Sequence, residues 1–144
     1  MPGTNFVLLD SDALIGLANS ADTNHQKSLL ISNFLAQNNF GTIIPYPIVL
    51  EAATALSRNT KINRPDLANE ILVNYIRTEN WLNMDQNVES QVSQSFSKNT
   101  SRKNTPFDHY LLALARKNGI KYVFSFDSFY QKQGLSLAED LLKS

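Results

Sequence analysis

The feature that most constrains the fold is a short, uninterrupted apolar run, Phe6-Val7-Leu8-Leu9, that ends at an acid, Asp10. Four residues are too few for a buried helix, and continuous rather than alternating hydrophobicity marks a strand covered on both faces. Such strands belong to parallel sheets with helices packed above and below. The pattern returns late in the chain. Residues 121–126, Lys-Tyr-Val-Phe-Ser-Phe, form the clearest strand and again meet an acid at once, Asp127.

Between these two runs the periodicity is helical. The spacing predicts a helix over 13–19, then a longer one capped by Thr23 or Asn24 with Leu29, Leu30, Phe34 and Leu35 along one side. Residues 41–44 read as a second short strand. Pro45 and Pro47 bracket the turn after it, and Pro47 suits the first position of a helix running to about Arg58. A further helix is expected over 65–78, a strand over 81–84 and a polar helix over 88–96. Thr105-Pro106-Phe107-Asp108 then opens a strongly patterned helix that ends at Gly119, and a last short strand falls near 135–137. Strands alternating with helices predict an α/β fold with a mainly parallel sheet. No repeat, linker or low-complexity tract interrupts residues 1–144, so one domain is expected.

Composition removes several classes of function. The chain has no cysteine, which excludes a disulfide framework, a thiolate zinc site and a cysteine nucleophile, and which fits a reducing compartment. No segment approaches the ~18 consecutive apolar residues that span a bilayer. The N-terminus lacks the basic start of a signal peptide, so a cytoplasmic protein without membrane contact is expected. The 13 basic and 13 acidic residues cancel, so net charge carries no signature of a polyanionic partner.

The acids carry the functional argument. In open parallel sheets ligands bind at the carboxyl ends of strands, where the strand order reverses. Asp10 and Asp127 follow strands directly. Glu51 lies in the first turns of the helix after the second strand, and Asp108 in the first turn of the helix that feeds the last long strand. All four can meet at one sheet edge. Hard divalent cations take several carboxylate oxygens while retaining water for a substrate phosphate, so such a cluster suits Mg²⁺ or Mn²⁺ and phosphodiester chemistry. Two histidines, His25 and His109, are too few for a zinc triad. Each acid also has an ordinary use. Asp10 and Asp127 can close strands as turn residues, Glu51 can favour a helix dipole, and Thr105-x-x-Asp108 is a capping box. Their convergence, with no evident cationic neighbour, is what favours a metal.

Four ordered segments resemble one family. They are Val7-Leu-Leu-Asp10-Ser11-Asp12 with His25 downstream; Ile44-Pro-Tyr-Pro-Ile-Val-Leu-Glu51; Thr105-Pro-Phe-Asp108-His-Tyr-Leu-Leu-Ala-Leu-Ala115; and Gly119-Ile-Lys-Tyr-Val-Phe-Ser125-Phe-Asp127-Ser-Phe129, closed by Gly134-Leu135. Together they resemble the PIN-domain nucleases, most of all the VapC-type toxins of bacterial toxin–antitoxin pairs. The resemblance implies a Rossmann-like α/β/α sandwich and Mg²⁺- or Mn²⁺-dependent cleavage of single-stranded or structured RNA. It makes Asp10, Glu51, Asp108 and Asp127 the catalytic and metal-binding acids, with Ser125, Asp12 and Ser11 in support. It also implies an antitoxin partner and a homodimer. Asp12 departs from the family, which more often carries Asn, Ser or Thr there. Arg58, Arg102 and Lys103 are candidate RNA contacts, although solvated surface is the plainer account of all three. His25 suits packing or capping better than chemistry, and Phe124, Phe126, Phe129 and Tyr130 belong to the core more than to a base-stacking platform.

Three other readings remain at this stage. A PIN-like module without catalysis would bind RNA or protein through the same surface. Asp10-Ser-Asp12 also resembles the nucleophile motif of haloacid-dehalogenase-like phosphatases, but no later lysine or paired-acid motif supports it. A receiver-like signalling module would need a lysine after a late strand and would leave Asp108 unexplained.

Overall fold

The computed structural model describes residues 5–75, 86–98 and 104–143. Four strands form one sheet, β1 (Phe6–Leu9), β2 (Gly41–Ile43), β3 (Tyr122–Phe124) and β4 (Ser136–Leu137), in the order β2-β1-β3-β4. Every pairing is parallel, with Leu8 opposite both Ile43 and Val123. Strand order reverses at β1, which puts a crevice beyond the carboxyl ends of β1 and β3.

Helices α1 (Ser11–Ala18), α2 (His25–Gln37), α3 (Tyr46–Arg58), α4 (Pro65–Asn74), α5 (Gln86–Lys98), α6 (Pro106–Lys117) and α7 (Phe129–Lys132) alternate with the strands, and a 3₁₀ turn covers Ala138–Lys143. The core forms where the apolar faces of α1, α2, α3 and α6 meet the sheet. Val7, Leu8, Ile48, Leu56, Leu111, Leu114 and Val123 are fully buried there. The α/β architecture expected from the sequence is present, and its sheet is parallel throughout.

Local rules account for most element ends. Helix α6 closes on Gly119 at φ 66, where the Ile120 N–H donates to the Ala115 carbonyl and the Gly119 N–H to that of Arg116. Pro47 occupies the second position of α3 rather than the first. Helix α2 buries only part of the face expected, with Leu35 in the core and Phe34 packed against it. Ser28, Ile31 and Leu35 are buried, whereas Leu29 and Leu30 stand exposed. Helix α1 begins two residues earlier than its apolar pattern indicates, because Asp10 caps it. The expected strand over 81–84, the tail of the 65–78 helix, Arg102 and Lys103 lie outside the described residues.

Candidate active site

Asp10 directly follows β1. Its N–H still donates to the Phe124 carbonyl at 3.1 Å, and its Oδ1 then accepts from the Ser11 N–H at 2.7 Å to start α1. One carboxylate therefore ends a strand, begins a helix and remains 3% exposed. Burial, reinforced by the charge of Asp12, raises its pKa well above the usual carboxylate range.

Asp12 lies in the first turn of α1 and reaches across to the chain after β3. Its Oδ2 accepts from the Ser125 hydroxyl at 2.9 Å and from the Phe126 N–H at 2.7 Å. The Ser125 oxygen in turn accepts from the Asp127 N–H at 3.1 Å. These side-chain bonds take donors that a longer strand would spend on the sheet ladder. That is why β3 stops at Phe124 rather than running to Phe126. Burial lifts the Asp12 carboxyl to about 6, against the pull of these hydrogen bonds.

Asp108 is the third residue of α6 and serves as its cap, as the capping box predicts; its Oδ2 accepts from the Thr105 N–H at 2.9 Å. The Asn104 side-chain amide joins this oxygen, at 3.3 Å, to Asp127 Oδ2, at 3.0 Å. Asp127 Oδ1 accepts from the Phe129 N–H at 2.9 Å and so launches α7. Tyr130, on that short helix and fully buried, donates its hydroxyl to Asp10 Oδ2 at 2.6 Å and lies 3.5 Å from Asp108 Oδ1. Glu51, on α3, faces the hydroxyls of Ser11 and Thr105. Burial raises its pKa and that of Asp108, with the charge of Asp108 adding to the rise at Glu51 and that of Asp127 to the rise at Asp108.

Asp10, Asp108 and Asp127 are thus joined through shared donors, Asp12 is tied to the Asp127 loop, and Glu51 lies near enough to Asp108 and Asp12 to feel their charge. Ser11 lies beside Glu51, and Ser125 donates its hydroxyl to Asp12 while accepting from the Asp127 N–H. Arg58 is exposed in the last turn of α3. His25 is a helix tie, with Nδ1 2.7 Å from the Gly16 carbonyl. Phe124, Phe129 and Tyr130 are buried, while Phe126 is half-buried with the Lys27 ammonium 6.0 Å from its ring centre.

Sequence reasoning missed two members of this site. Tyr130 reads as one more core aromatic, and nothing in the sequence pattern singles out Asn104. The available signal was the offset of Tyr130, three residues past Asp127, which lets its hydroxyl reach Asp10 beyond the end of β1 once a short helix forms.

The donor set is all oxygen, the kind a hard divalent cation prefers. Two buried oxygens, Asp12 Oδ1 and Glu51 Oε1, have no hydrogen-bond partner, and among the described residues none of these acids forms an ion pair. Buried carboxylates of this kind are costly and either take up a proton or pair with a cation. In the present arrangement, however, no three His, Cys, Asp or Glu side chains among the described residues are disposed to hold one ion. The Tyr130 hydroxyl and the Asn104 amide stand between the acids instead.

Comparison with solved structures decides the fold. VapC20 of Mycobacterium tuberculosis, a sarcin-ricin loop cleaving toxin, superposes with a TM-score of 0.71 over 90% of this chain and 95% of its own, at 18% identity. The fold is PIN-like. The match extends over nearly the full length of both chains, so the PIN-like frame places β1, α3, α6 and the chain after β3 around one crevice. No family model and no curated protein matches the sequence. Among the described residues no helix is long and apolar enough to cross a membrane.

Proposed function

We propose that this chain is a divalent-metal-dependent endoribonuclease and the toxin of a toxin–antitoxin pair. The observation that carries the reading is a group of five acids, Asp10, Asp12, Glu51, Asp108 and Asp127, at the carboxyl end of a parallel sheet, with two buried carboxylate oxygens lacking any partner. The PIN-like fold shared with a toxin that cleaves the sarcin-ricin loop supports RNA as the substrate.

In this reading Asp10, Asp108 and Asp127 hold Mg²⁺ or Mn²⁺, and Glu51 orients an attacking water or a second ion. Bound there, the cation supplies charge neutralisation at the phosphate and a more acidic water. Ser125 fixes the chain that carries Asp127, and Asp12 fixes Ser125. No side-chain nucleophile is needed. The receiver-like alternative loses its basis here, because Ser125, which holds Asp12, stands where that module would need a lysine after β3. A small antitoxin covering the acids, a homodimeric assembly, a single domain and a cytoplasmic setting complete the proposal.

The test is incubation with a panel of RNAs in Mg²⁺ or Mn²⁺, with EDTA as control. Cleavage in metal alone is expected, and Asp10→Asn or Asp108→Asn should lower it by at least about 10²-fold, the scale of losing a group that positions transition-state charge. Undiminished cleavage by both variants rejects the site. Phosphate release from small monoesters, without RNA cleavage, would point to the phosphatase chemistry instead.

A further inference from the structure

Beyond the far ends of α1 and α3 lies a polar cavity of about 330 Å³ that the chemistry above does not use. The two helices pack against each other, and each carries an acid of the site in its early turns, Asp12 on α1 and Glu51 on α3. Past their last residues each chain supplies a wall of the cavity, through Asn19 and Lys61. Only the eight residues of α1 separate Asp10 from Asn19, so the cavity lies about 12 Å from the acids along that helix. Asn19 is 6% exposed, and its Oδ1 accepts from the Ala21 N–H at 3.1 Å, which fixes the way the amide faces. Its Nδ2 has no acceptor among the described residues. A nearly buried amide whose N–H donors meet only a cavity is placed to hold an acceptor there.

The charges around that amide are of two kinds. The Lys61 ammonium forms no ion pair among the described residues, and neither does Arg58, exposed in the last turn of α3. Arg64 differs, since it gives two guanidinium donors to Asp66, at 2.9 and 2.8 Å. The backbone under Lys61 is pinned. The Arg64 N–H donates to the Leu56 carbonyl at 2.7 Å, and the Asn59 carbonyl accepts from Ile62 and Asn63. From the α1–α2 loop comes Asp22, whose Oδ1 accepts from the Asn24 N–H at 2.8 Å and whose Oδ2 stays available as an acceptor. A cation and an amide donor beside one carboxylate suit a ribose–phosphate unit: the donors take phosphate oxygens and the carboxylate takes a hydroxyl. We propose that this cavity is a subsite for one ribose–phosphate unit of an RNA strand, with Lys61 and Asn19 on the phosphate and Asp22 on the 2′-hydroxyl. The proposal rests on RNA as the substrate. Inorganic phosphate gains nothing from Asp22, whose charge repels it, and DNA lacks the hydroxyl. Because α1 and α3 hold subsite and acids at a set separation, a strand anchored here presents a neighbouring linkage to the acids.

Titration of the ¹⁵N-labelled protein with a short mixed-sequence RNA, in EDTA to prevent cleavage, tests this by NMR. The Asn19 side-chain amide signals and the backbone amides of Lys61 and Ile62 should shift. Lys61→Glu should weaken RNA binding about tenfold at low salt and lower its salt dependence by about one phosphate contact. The Lys61 side chain is exposed and its N–H bond to Asn59 does not involve it, so the variant should fold normally. DNA of the same sequence should bind more weakly than RNA. Asp22→Asn should shrink that difference, because it keeps the oxygen that accepts from Asn24 and removes the free one. Unmoved Asn19 signals, or equal RNA affinity in wild type and Lys61→Glu, overturn the proposal. So does adenosine monophosphate binding as tightly as the strand, which would make the cavity a free-nucleotide site. In each of these cases RNA cleavage in Mg²⁺ or Mn²⁺ leaves the nuclease reading intact. Lys61-dependent RNA binding without any cleavage keeps the subsite and sinks the nuclease.

Discussion

Asp12 divides its carboxylate between two tasks. Oδ2 clamps Ser125 and Phe126, while Oδ1 is buried without a partner and faces a site already crowded with acids. Its raised pKa, and those of Asp10, Glu51 and Asp108, have a consequence for stability. A carboxyl whose folded pKa lies above its unfolded value binds more protons in the native state, so its contribution is fully present below the unfolded pKa and is lost as pH rises. For Asp12 that window runs from 3.8 to about 6. The metal-free protein should therefore melt at a lower temperature at pH 7 than at pH 5, with Asp12 alone contributing on the order of 2 kcal/mol. Asp12→Asn should flatten that slope. Melting curves in EDTA across this range are the check, and stability that climbs from pH 5 to 7 would contradict the assignment of these acids as mutually destabilising.

Helix contacts in this molecule depend on small details of sequence. Gly16 faces Ser28 where α1 crosses α2, and a Cβ at position 16 would collide with the Ser28 hydroxyl. The Gly16 carbonyl also accepts the His25 ring nitrogen across the same crossing. Gly16→Ala should cost about 1–3 kcal/mol through overpacking, even though alanine is the better helix former. Thermal or urea melting measures this, and an unchanged or raised stability would show that the crossing relaxes freely. Helix ends followed local rules, as Gly119 and the Thr105–Asp108 pair illustrate. The end of β3 and the existence of α7 did not. There, side chains from Asp12 and Asp127 redirect backbone donors, a choice that hydrophobic periodicity does not register.

At the scale of the molecule, zero net charge hides a local excess of negative charge at one sheet edge. RNA is a polyanion, so this edge can approach it only when cations offset the acids. Saturating Mn²⁺ should raise the melting temperature of the wild type. At one hundred times the dissociation constant the gain is about 2.7 kcal/mol, or several degrees for a chain of this size. Asp10→Asn should lose most of that shift, because it removes one of the acids proposed to hold the ion. No shift in the wild type would argue against any metal site here.

The strands, their polarity and the acids at their ends were determined by the sequence alone, because a short apolar run, a capping residue or a glycine past a helix acts on its immediate neighbours. Asp10, Glu51, Asp108 and Asp127 could be named for that reason. What joins them was decided by tertiary structure. Ser125 meets Asp12 across 113 residues and Tyr130 meets Asp10 across 120, and these contacts depend on β3 lying beside β1. Sheet order arises from packing the whole core, so no local pattern reveals that a buried tyrosine will face a strand-end carboxylate.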